Sequence, residues 1–169
     1  MNHQAFLNKV MPFKDKAFRL AKRLLVSNDE AEDATQEMFF KLWKNKEKIG
    51  KYKNVEAFAM TMIKNYCFDR LKSKQAGNLK LIHSNYKDES RDLQKQVEAN
   101  DGIDIVHMLM TALPEKQRLV MQLRDIEQYE LAEIEKILEM KPTAVRTNLS
   151  RARKTIREQL QKQYNYGLG

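Results

Sequence analysis

The sequence predicts an all-α protein made of two small helical bundles joined by a flexible linker. Apolar residues recur at helical spacing in most windows, and strand-like alternation is rare. Only five glycines and three prolines occur among 169 residues, so few positions interrupt a helix. Residues 75–102 are instead polar, charged and poorly periodic, with one helical patch near 90–99. We therefore expect one bundle over residues 4–74 and a second over 103–162.

The first bundle is predicted to contain three helices. Residues 4–26 form the first, and Pro12 is expected to split or kink it because proline has no backbone N–H. Ser27 begins a capping-box pattern, which places the second helix over 28–45. The third helix covers 55–74. Core candidates at helical spacing are Phe6, Val10, Phe13, Phe18, Leu20 and Leu24 in the first helix, and Val55, Phe58, Met62, Tyr66 and Leu71 in the third.

The second bundle is predicted to end in a helix-turn-helix. An apolar stripe begins at Ile103, and Pro114 restarts the chain into a further helix. A short amphipathic helix, "YELAEIEKIL", then precedes a three-residue turn. Pro142 suits the first position of the next helix, where its missing N–H costs nothing. Helix, tight turn and basic second helix form the pattern of a DNA-binding unit. Glu139 occupies a turn position that often holds glycine, which predicts a different turn or mild strain.

Composition limits the classes of function. The net charge of +8 favours a polyanionic partner. The sequence contains no run of about 18 apolar residues, so a membrane-spanning helix is not expected. The N-terminus does not resemble a secretory signal. Cys67 is the single cysteine and the histidines are scattered, so we expect no disulfide, metal or cofactor, and a cytoplasmic protein. No catalytic constellation or phosphate-binding glycine-rich loop is present, so an enzyme is not expected.

An acidic segment opens the second helix. Five acids lie between residues 29 and 37, and no Lys or Arg occurs from Leu24 to Phe40. The helix macrodipole accounts for acids in the first turn. Asp33 and Glu37 lie beyond that turn and four residues apart, where like charges repel. This pattern fits either a solvated acidic face or a site for a basic protein partner.

A basic and aromatic segment follows. Between residues 51 and 74, cations alternate with aromatic and amide side chains, a mixture suited to single-stranded nucleic acid. The residues of this kind are Lys51, Tyr52, Lys53, Phe58, Lys64, Asn65, Tyr66, Arg70, Lys72 and Lys74. The spacing of Phe58 and Phe68 favours a place in the core instead. Tyr52 lies in a loop and is the better candidate for stacking on a base.

The last helix separates apolar from basic residues. Val145, Leu149, Ile156 and Leu160 share one side, whereas the other side carries Arg146, Ser150, Arg153 and Arg157. From residue 141 onward there are seven Lys or Arg and one acid, Glu158. This balance suits phosphates beside a major groove, although a basic helix that is only solvated has the same composition.

Three motifs together resemble the extracytoplasmic-function branch of the sigma-70 family of bacterial transcription initiation factors. "DEAEDATQEMFFKLW" (29–43) is similar to the family's acidic core-binding motif, and "AFAMTMIKNYCFDRLKSK" (57–74) to its promoter-melting helix. Residues 113–160, with "LPEKQR", "AEIEKIL" and V-R-x-x-L-x-R-A-R in this order, resemble its C-terminal DNA-binding domain. The resemblance covers about residues 10–74 and 103–160.

The resemblance implies a function for each part of the chain. The domain over 4–74 would bind core RNA polymerase and the melted single strand of the minus-10 element, and the domain over 103–162 would bind duplex DNA at the minus-35 element. The implied polymerase-binding residues are Asp33, Gln36 and Glu37. The implied minus-10 residues are Tyr52, Lys53, Lys64, Asn65 and Arg70. The implied minus-35 residues are Arg146, Thr147, Ser150 and Arg151, with Arg153, Lys154 and Arg157 as phosphate anchors.

Two further inferences concern partners and an alternative. Because family members are often inhibited by an anti-sigma factor, the resemblance also implies that partner. The alternative is a stand-alone helix-turn-helix regulator that uses its N-terminal bundle to dimerise. Such a regulator needs neither the acidic helix nor the melting helix. The sequence leaves open how the two bundles are arranged in the free protein.

Overall fold

A computed structural model describes residues 1–78 and 102–168 of the chain. All regular secondary structure in these two ranges is helical, which confirms the all-α prediction. Most of the predicted linker, including the helical patch near 90–99, lies outside the described residues.

The first bundle contains five helices. They are α1 (His3–Val10), α2 (Lys14–Leu25), α3 (Asn28–Lys44), α4 (Lys46–Ile49) and α5 (Val55–Asn78). Pro12 lies in a 3-10 turn, Met11–Phe13, that separates α1 from α2, as predicted from its missing N–H. The hydroxyl of Ser27 accepts a hydrogen bond from the Glu30 N–H at 3.3 Å, which confirms the predicted start of α3. α5 runs four residues past its predicted end, and the Lys74 ammonium in its last turns pairs with the Glu30 carboxylate of α3.

The second bundle contains four helices and one irregular segment. They are α6 (Gly102–Thr111), α7 (Glu115–Met121), a π-helical segment (Gln122–Ile126), α8 (Leu131–Leu138) and α9 (Pro142–Leu168). Pro142 is the first residue of α9, as predicted. Glu139 ends α8 in the left-handed region, at φ 55° and ψ 47°, and its N–H donates to the Glu135 carbonyl. The turn therefore has the glycine-type geometry, and Glu139 bears the strain of a Cβ in that region.

The two bundles share one hydrophobic core. Its buried residues come from α1 to α5 and from α7 to α9, and the largest include Phe13, Met38, Leu42, Ile63, Leu123, Ile134 and Ile137. A smaller cluster joins α6, α7 and α9 through Met110, Leu113, Met121, Ala152 and Ile156. The predicted core residues of the first helix are buried, except Phe18, which is half-buried. The core prediction for α5 is wrong, because the buried apolar residues of this helix are Ala59, Met60, Ile63 and Cys67. The predicted residues Val55, Met62, Tyr66 and Leu71 are only partly buried, and the side chain of Phe58 is 40 % exposed.

Polar contacts also tie α2 to the second bundle. Arg19 donates from Nε to Glu127 Oε1 at 2.5 Å and from Nη2 to Oε2 at 3.0 Å. Arg23 donates to the Gln122 side chain at 2.9 Å and to the His107 carbonyl at 3.1 Å. Burial lowers the pKa of Arg23 to about 10, with a further contribution from the nearby Arg118 charge. The arrangement that the sequence left open is therefore a compact one.

Candidate functional site

The first half of α9 presents an unobstructed polar face. Val145 and Leu149 are buried in the shared core, and Ala152 is buried beside them. Helical geometry then turns the predicted base-reading set outward, and all four of its members are exposed: Arg146, Thr147, Ser150 and Arg151. Lys154 and Arg157 continue this face toward the C-terminus and are also exposed. The fold thus brings together the side chains that a major groove requires.

Arg153 differs from the other cations of α9. Its guanidinium makes two hydrogen bonds to Asp125, from Nε at 3.1 Å and from Nη2 at 2.6 Å. These hydrogen bonds raise the pKa of Arg153. Asp125 belongs to the π-helical segment, so the pair braces α9 against that segment. A phosphate at Arg153 would have to compete with that carboxylate.

The loop before α5 carries an exposed aromatic pair. The Asn54 carboxamide accepts a hydrogen bond from the Ala57 N–H at 3.0 Å and caps the start of α5. Tyr52 and Phe58 flank this cap, with ring centroids 5.0 Å apart and planes tilted by 54°. Both rings are about two-fifths exposed, at 42 % and 40 %. Lys53 and Asn65 are exposed as well.

Phe58 is a functional candidate that sequence reasoning assigned to the core. Its helical spacing matched the apolar stripe, which made burial the favoured interpretation. The structure shows instead that Phe58 lies in the first turn of α5, where its side chain is 40 % exposed and its ring contacts that of Tyr52. The one signal available in the sequence was the neighbouring loop aromatic.

Lys64 is where the structure departs most from the predicted minus-10 surface. The side chain follows Ile63 on the covered side of α5, and the residue is only 4 % exposed. Its ammonium donates to the Ile137 carbonyl at the end of α8, at 2.9 Å. Burial lowers the pKa of this amine, and the Glu139 carboxylate partly offsets the effect. In the compact arrangement Lys64 therefore cannot reach a nucleic acid, which corrects the expectation that it lies on that surface.

Arg70 is partly engaged inside the first bundle. Its Nη2 atom lies 3.8 Å from Glu30 Oε1, and its side chain remains 44 % exposed. Together with Lys74 it balances the charge of Glu30, an acid that has turned toward α5. Glu30 therefore belongs to the fold, not to the acidic face.

The acidic face of α3 is open to solvent. One side of α3 is buried and includes Ala31, Ala34, Met38 and Leu42. Asp33 and Gln36 project away from it and are exposed, and Glu37 is half-buried. Phe40 lies on the same outward face, one turn further on, and its ring is 56 % exposed. Phe40 is not among the site residues predicted from the sequence, although the spacing of the buried stripe excludes it from the core.

Other features of the described residues concern membranes, metal ions and the single cysteine. Within residues 1–78 and 102–168, no helix is long and apolar enough to cross a membrane. In the same part of the chain, no three His, Cys, Asp or Glu side chains are grouped so that they could hold a metal ion. Cys67 is buried, and burial raises the pKa of its thiol to about 12.

Comparison with known proteins covers both bundles. Residues 10–77 match the sigma-70 region 2 family and residues 103–156 match sigma-70, region 4. A curated relative, the ECF RNA polymerase sigma factor SigW of Bacillus subtilis (strain 168), is 27 % identical over 171 residues, which span 94 % of this chain and 90 % of the relative.

Two solved structures share the fold. The sigma factor RpoE of Bartonella quintana, solved in complex with the anti-sigma factor NepR, has a TM-score of 0.71 at 16 % identity. The match covers 94 % of this chain and 98 % of that one. CnrH, solved in complex with the cytosolic domain of CnrY, has a TM-score of 0.66 at 17 % identity. Its match covers 95 % of this chain and 90 % of that one.

The fold and surfaces define a two-part helical protein of transcription that combines a helix-turn-helix with an acidic and an aromatic surface. With both regions matched, the chain belongs to the sigma-70 family, in its extracytoplasmic-function branch. It is a transcription initiation factor that binds core RNA polymerase and directs it to promoters. A stand-alone regulator is not favoured, because such a protein has no need of a sigma region 2.

Proposed function

We propose that three separate surfaces of this sigma factor divide the work of promoter recognition. The exposed face of α9 reads the minus-35 duplex, the Tyr52 and Phe58 pair holds an unpaired base of the minus-10 element, and the outward face of α3 binds core polymerase. The observation that carries the proposal is that each of the three sets has exposed members within one chain that matches both sigma regions.

At the minus-35 element, the side chains of α9 divide by position. Arg146, Thr147, Ser150 and Arg151 occupy the first turns after Pro142, where a recognition helix approaches base edges. Lys154 and Arg157 lie further along and contact phosphates, which position the helix without reading sequence.

At the minus-10 element, melting exposes a base that needs a new partner. Extruding a base from a duplex costs a few kcal/mol. Stacking on an aromatic ring returns about 1–3 kcal/mol per base. Tyr52 and Phe58 supply two adjacent rings, Asn65 can hydrogen-bond a base edge, and Lys53 can hold the neighbouring phosphate.

At the polymerase, Asp33, Gln36 and Glu37 meet the basic coiled coil that the family resemblance implies. Phe40 adds an apolar ring to this face. A large aromatic side chain surrounded by polar groups is the typical anchor of a protein interface. The acids then govern orientation and the rate of encounter, and the ring contributes affinity.

The compact arrangement must open for both DNA elements to be bound. The names minus-35 and minus-10 place the two elements about 25 base pairs apart, measured between their nominal positions, or roughly 85 Å at 3.4 Å per base pair. A compact chain of this length has a radius of gyration of only about 15 Å. The chain between Asn78 and Gly102 could span about 80 Å if extended. We propose that polymerase binding separates the bundles.

The partners of the solved relatives also suggest a regulatory partner for this chain. One solved relative was captured with the anti-sigma factor NepR and the other with the cytosolic domain of CnrY. We propose that this chain likewise has an anti-sigma partner, acts in the cytoplasm and has no catalytic activity of its own.

Capture of core polymerase tests the assignment of α3. Asp33→Arg/Glu37→Arg should abolish capture, because it reverses two charges on the exposed face without touching the buried stripe. Asp15→Arg/Glu158→Arg makes the same change in net charge at exposed acids elsewhere and should leave capture intact. Equal capture by both double variants would remove the polymerase-binding role from this face.

A further inference from the structure

The turn between α8 and α9 contains a residue that is unfavourable at its position. Glu139 has φ 55° and ψ 47°, a conformation that glycine adopts freely and that a residue with a Cβ adopts at a cost in free energy. Glu139 is exposed, and within residues 1–78 and 102–168 its carboxylate forms no ion pair. No ion pair inside the second bundle therefore accounts for a glutamate in this turn.

A buried ammonium group of the first bundle lies beside the same turn. Lys64 of α5 is only 4 % exposed, and its Nζ donates a hydrogen bond to the Ile137 carbonyl at 2.9 Å. Ile137 lies two residues before Glu139. In the part of the chain that the structure describes, Lys64 forms no ion pair. Because burying a charge is unfavourable unless it is compensated, the compact arrangement needs negative charge near this ammonium.

The end of α8 supplies negative charge in three ways. The last carbonyls of a helix have no partner inside the helix, and Ile137 contributes one of them. The helix macrodipole places partial negative charge at the same end. Burial lowers the pKa of Lys64, and the Glu139 carboxylate acts in the opposite direction. Of these three contributions, the carboxylate is the one that a glycine in the turn could not make.

The contact between α5 and α8 is closely packed around this pair. Ile63, Ile134 and Ile137 are fully buried in the shared core. Met140, next to Glu139, packs against the same core. The position of the ammonium relative to the turn is therefore set by the packing of the two helices and not by the charges themselves.

The strain of Glu139 and its attraction to Lys64 respond differently when the bundles separate. The turn belongs to the second bundle, so its backbone strain is present in the compact protein and in the opened protein. Lys64 belongs to the first bundle, so separation hydrates its ammonium and removes the attraction. Glu139 thus destabilises the turn in both forms but favours the compact form selectively.

We propose that Glu139 is a regulatory residue that keeps the two bundles together by compensating the buried charge of Lys64. This inference rests on the proposed function, in which polymerase binding separates the bundles. Because only the opened form is competent for polymerase, a carboxylate that favours the compact form lowers the apparent affinity of the chain for polymerase. A glycine would give a more stable turn without this restraint.

Energy transfer between dyes on the two bundles measures this restraint in the free protein. Lys22→Cys in α2 and Asn165→Cys in α9 are exposed attachment points outside the contact between α5 and α8, and every variant carries Cys67→Ala. Glu139→Gln removes the charge and keeps the Cβ, whereas Glu139→Gly removes both. Glu158→Gln removes the same charge from an exposed acid of α9 and is the matched control.

We expect both variants of Glu139 to raise the ratio of opened to compact protein by the same factor. The factor should be about 2- to 3-fold, the size of one partly screened charge pair. Glu139→Gly should open the protein while it raises Tm, because the attraction that it loses is smaller than the strain that it relieves. In a mostly compact protein the affinity for core polymerase should rise by the same factor as the ratio. Glu158→Gln should change neither quantity.

Lys64→Met provides the test of coupling. Methionine keeps an unbranched side chain in the packed contact but has no charge. In this background Glu139→Gln should leave the ratio of opened to compact protein unchanged, because the carboxylate has no ammonium to attract. An equal change in both backgrounds would overturn the proposal.

Promoter binding by holoenzyme distinguishes this role from a contact with DNA. Polymerase has already separated the bundles in holoenzyme, so Glu139→Gln and wild type should bind promoter DNA equally. Tighter promoter binding by Glu139→Gln, with unchanged energy transfer in the free protein, would place the carboxylate beside DNA and overturn the proposal. The proposed opening is tested separately, because it fails if core polymerase leaves the energy transfer of the wild type unchanged. The coupling of Glu139 to Lys64 is measured without polymerase.

Discussion

The ion pair between Arg19 and Glu127 predicts an asymmetric response to the loss of either partner. The Glu127 side chain is completely buried, whereas the Arg19 side chain is 48 % exposed. Arg19→Ala leaves a buried carboxylate without its cation. Glu127→Ala leaves a guanidinium that water can reach. Because the two residues belong to different bundles, either change acts on the equilibrium between the compact and the opened protein.

The size of the asymmetry follows from burial. An unpaired buried charge costs about 3–5 kcal/mol, and opening relieves this cost by hydrating Glu127. Arg19→Ala should therefore shift the equilibrium toward the opened form by about 3 kcal/mol, or roughly 100-fold. Loss of Glu127 removes charged hydrogen bonds but also the cost of burying its carboxylate. We expect about 1 kcal/mol for Glu127→Ala, or roughly 5-fold.

Energy transfer between two dyes can measure this equilibrium. Lys22→Cys in α2 and Lys136→Cys in α8 provide exposed attachment points on the two bundles, in a Cys67→Ala background. Arg19→Ala should lower the transfer efficiency more than Glu127→Ala. The double variant should resemble Glu127→Ala, because no charge is then left buried. Equal effects of the two single variants, or unchanged transfer in both, would refute the reasoning.

Three further predictions concern single surfaces. Phe40→Ala should weaken binding to core polymerase by about 30-fold or more with little change in Tm, as expected for an exposed aromatic anchor of a protein interface. Tyr164→Ala also removes an exposed ring and should leave polymerase affinity unchanged. Arg146→Ala should relax the choice among minus-35 sequences, whereas Arg157→Ala should weaken all sequences evenly and flatten the salt dependence; identical sequence preferences in the two variants would contradict that division. Glu139→Gly should raise Tm by about 2–4 °C, because it relieves about 1 kcal/mol of strain from a Cβ in the left-handed backbone region. An unchanged or lower Tm in thermal unfolding would mean that another contact of Glu139 outweighs the strain.

Several helix starts follow from the sequence because their signals are local, whereas the short helix α4 and the π-helical segment were not predicted. Pro12 separates α1 from α2, Ser27 starts α3, and Pro142 starts α9. Each effect depends on a residue and its immediate neighbours, through a missing N–H or a side-chain cap. The exposed reading face of α9 also follows, since burial of Val145 and Leu149 leaves Arg146 and Ser150 on the other side.

Tertiary structure alone decided which faces are covered. Lys64 looked like a DNA contact, yet α8 covers it and accepts its hydrogen bond from 73 residues away. Phe58 looked like core, yet two-fifths of its side chain is exposed. Arg19 meets Glu127 across 108 residues. Periodicity predicts that a helix has an apolar side. It does not predict how much of the helix surface a distant helix will cover. The covered area depends on packing between elements that only the folded chain brings together.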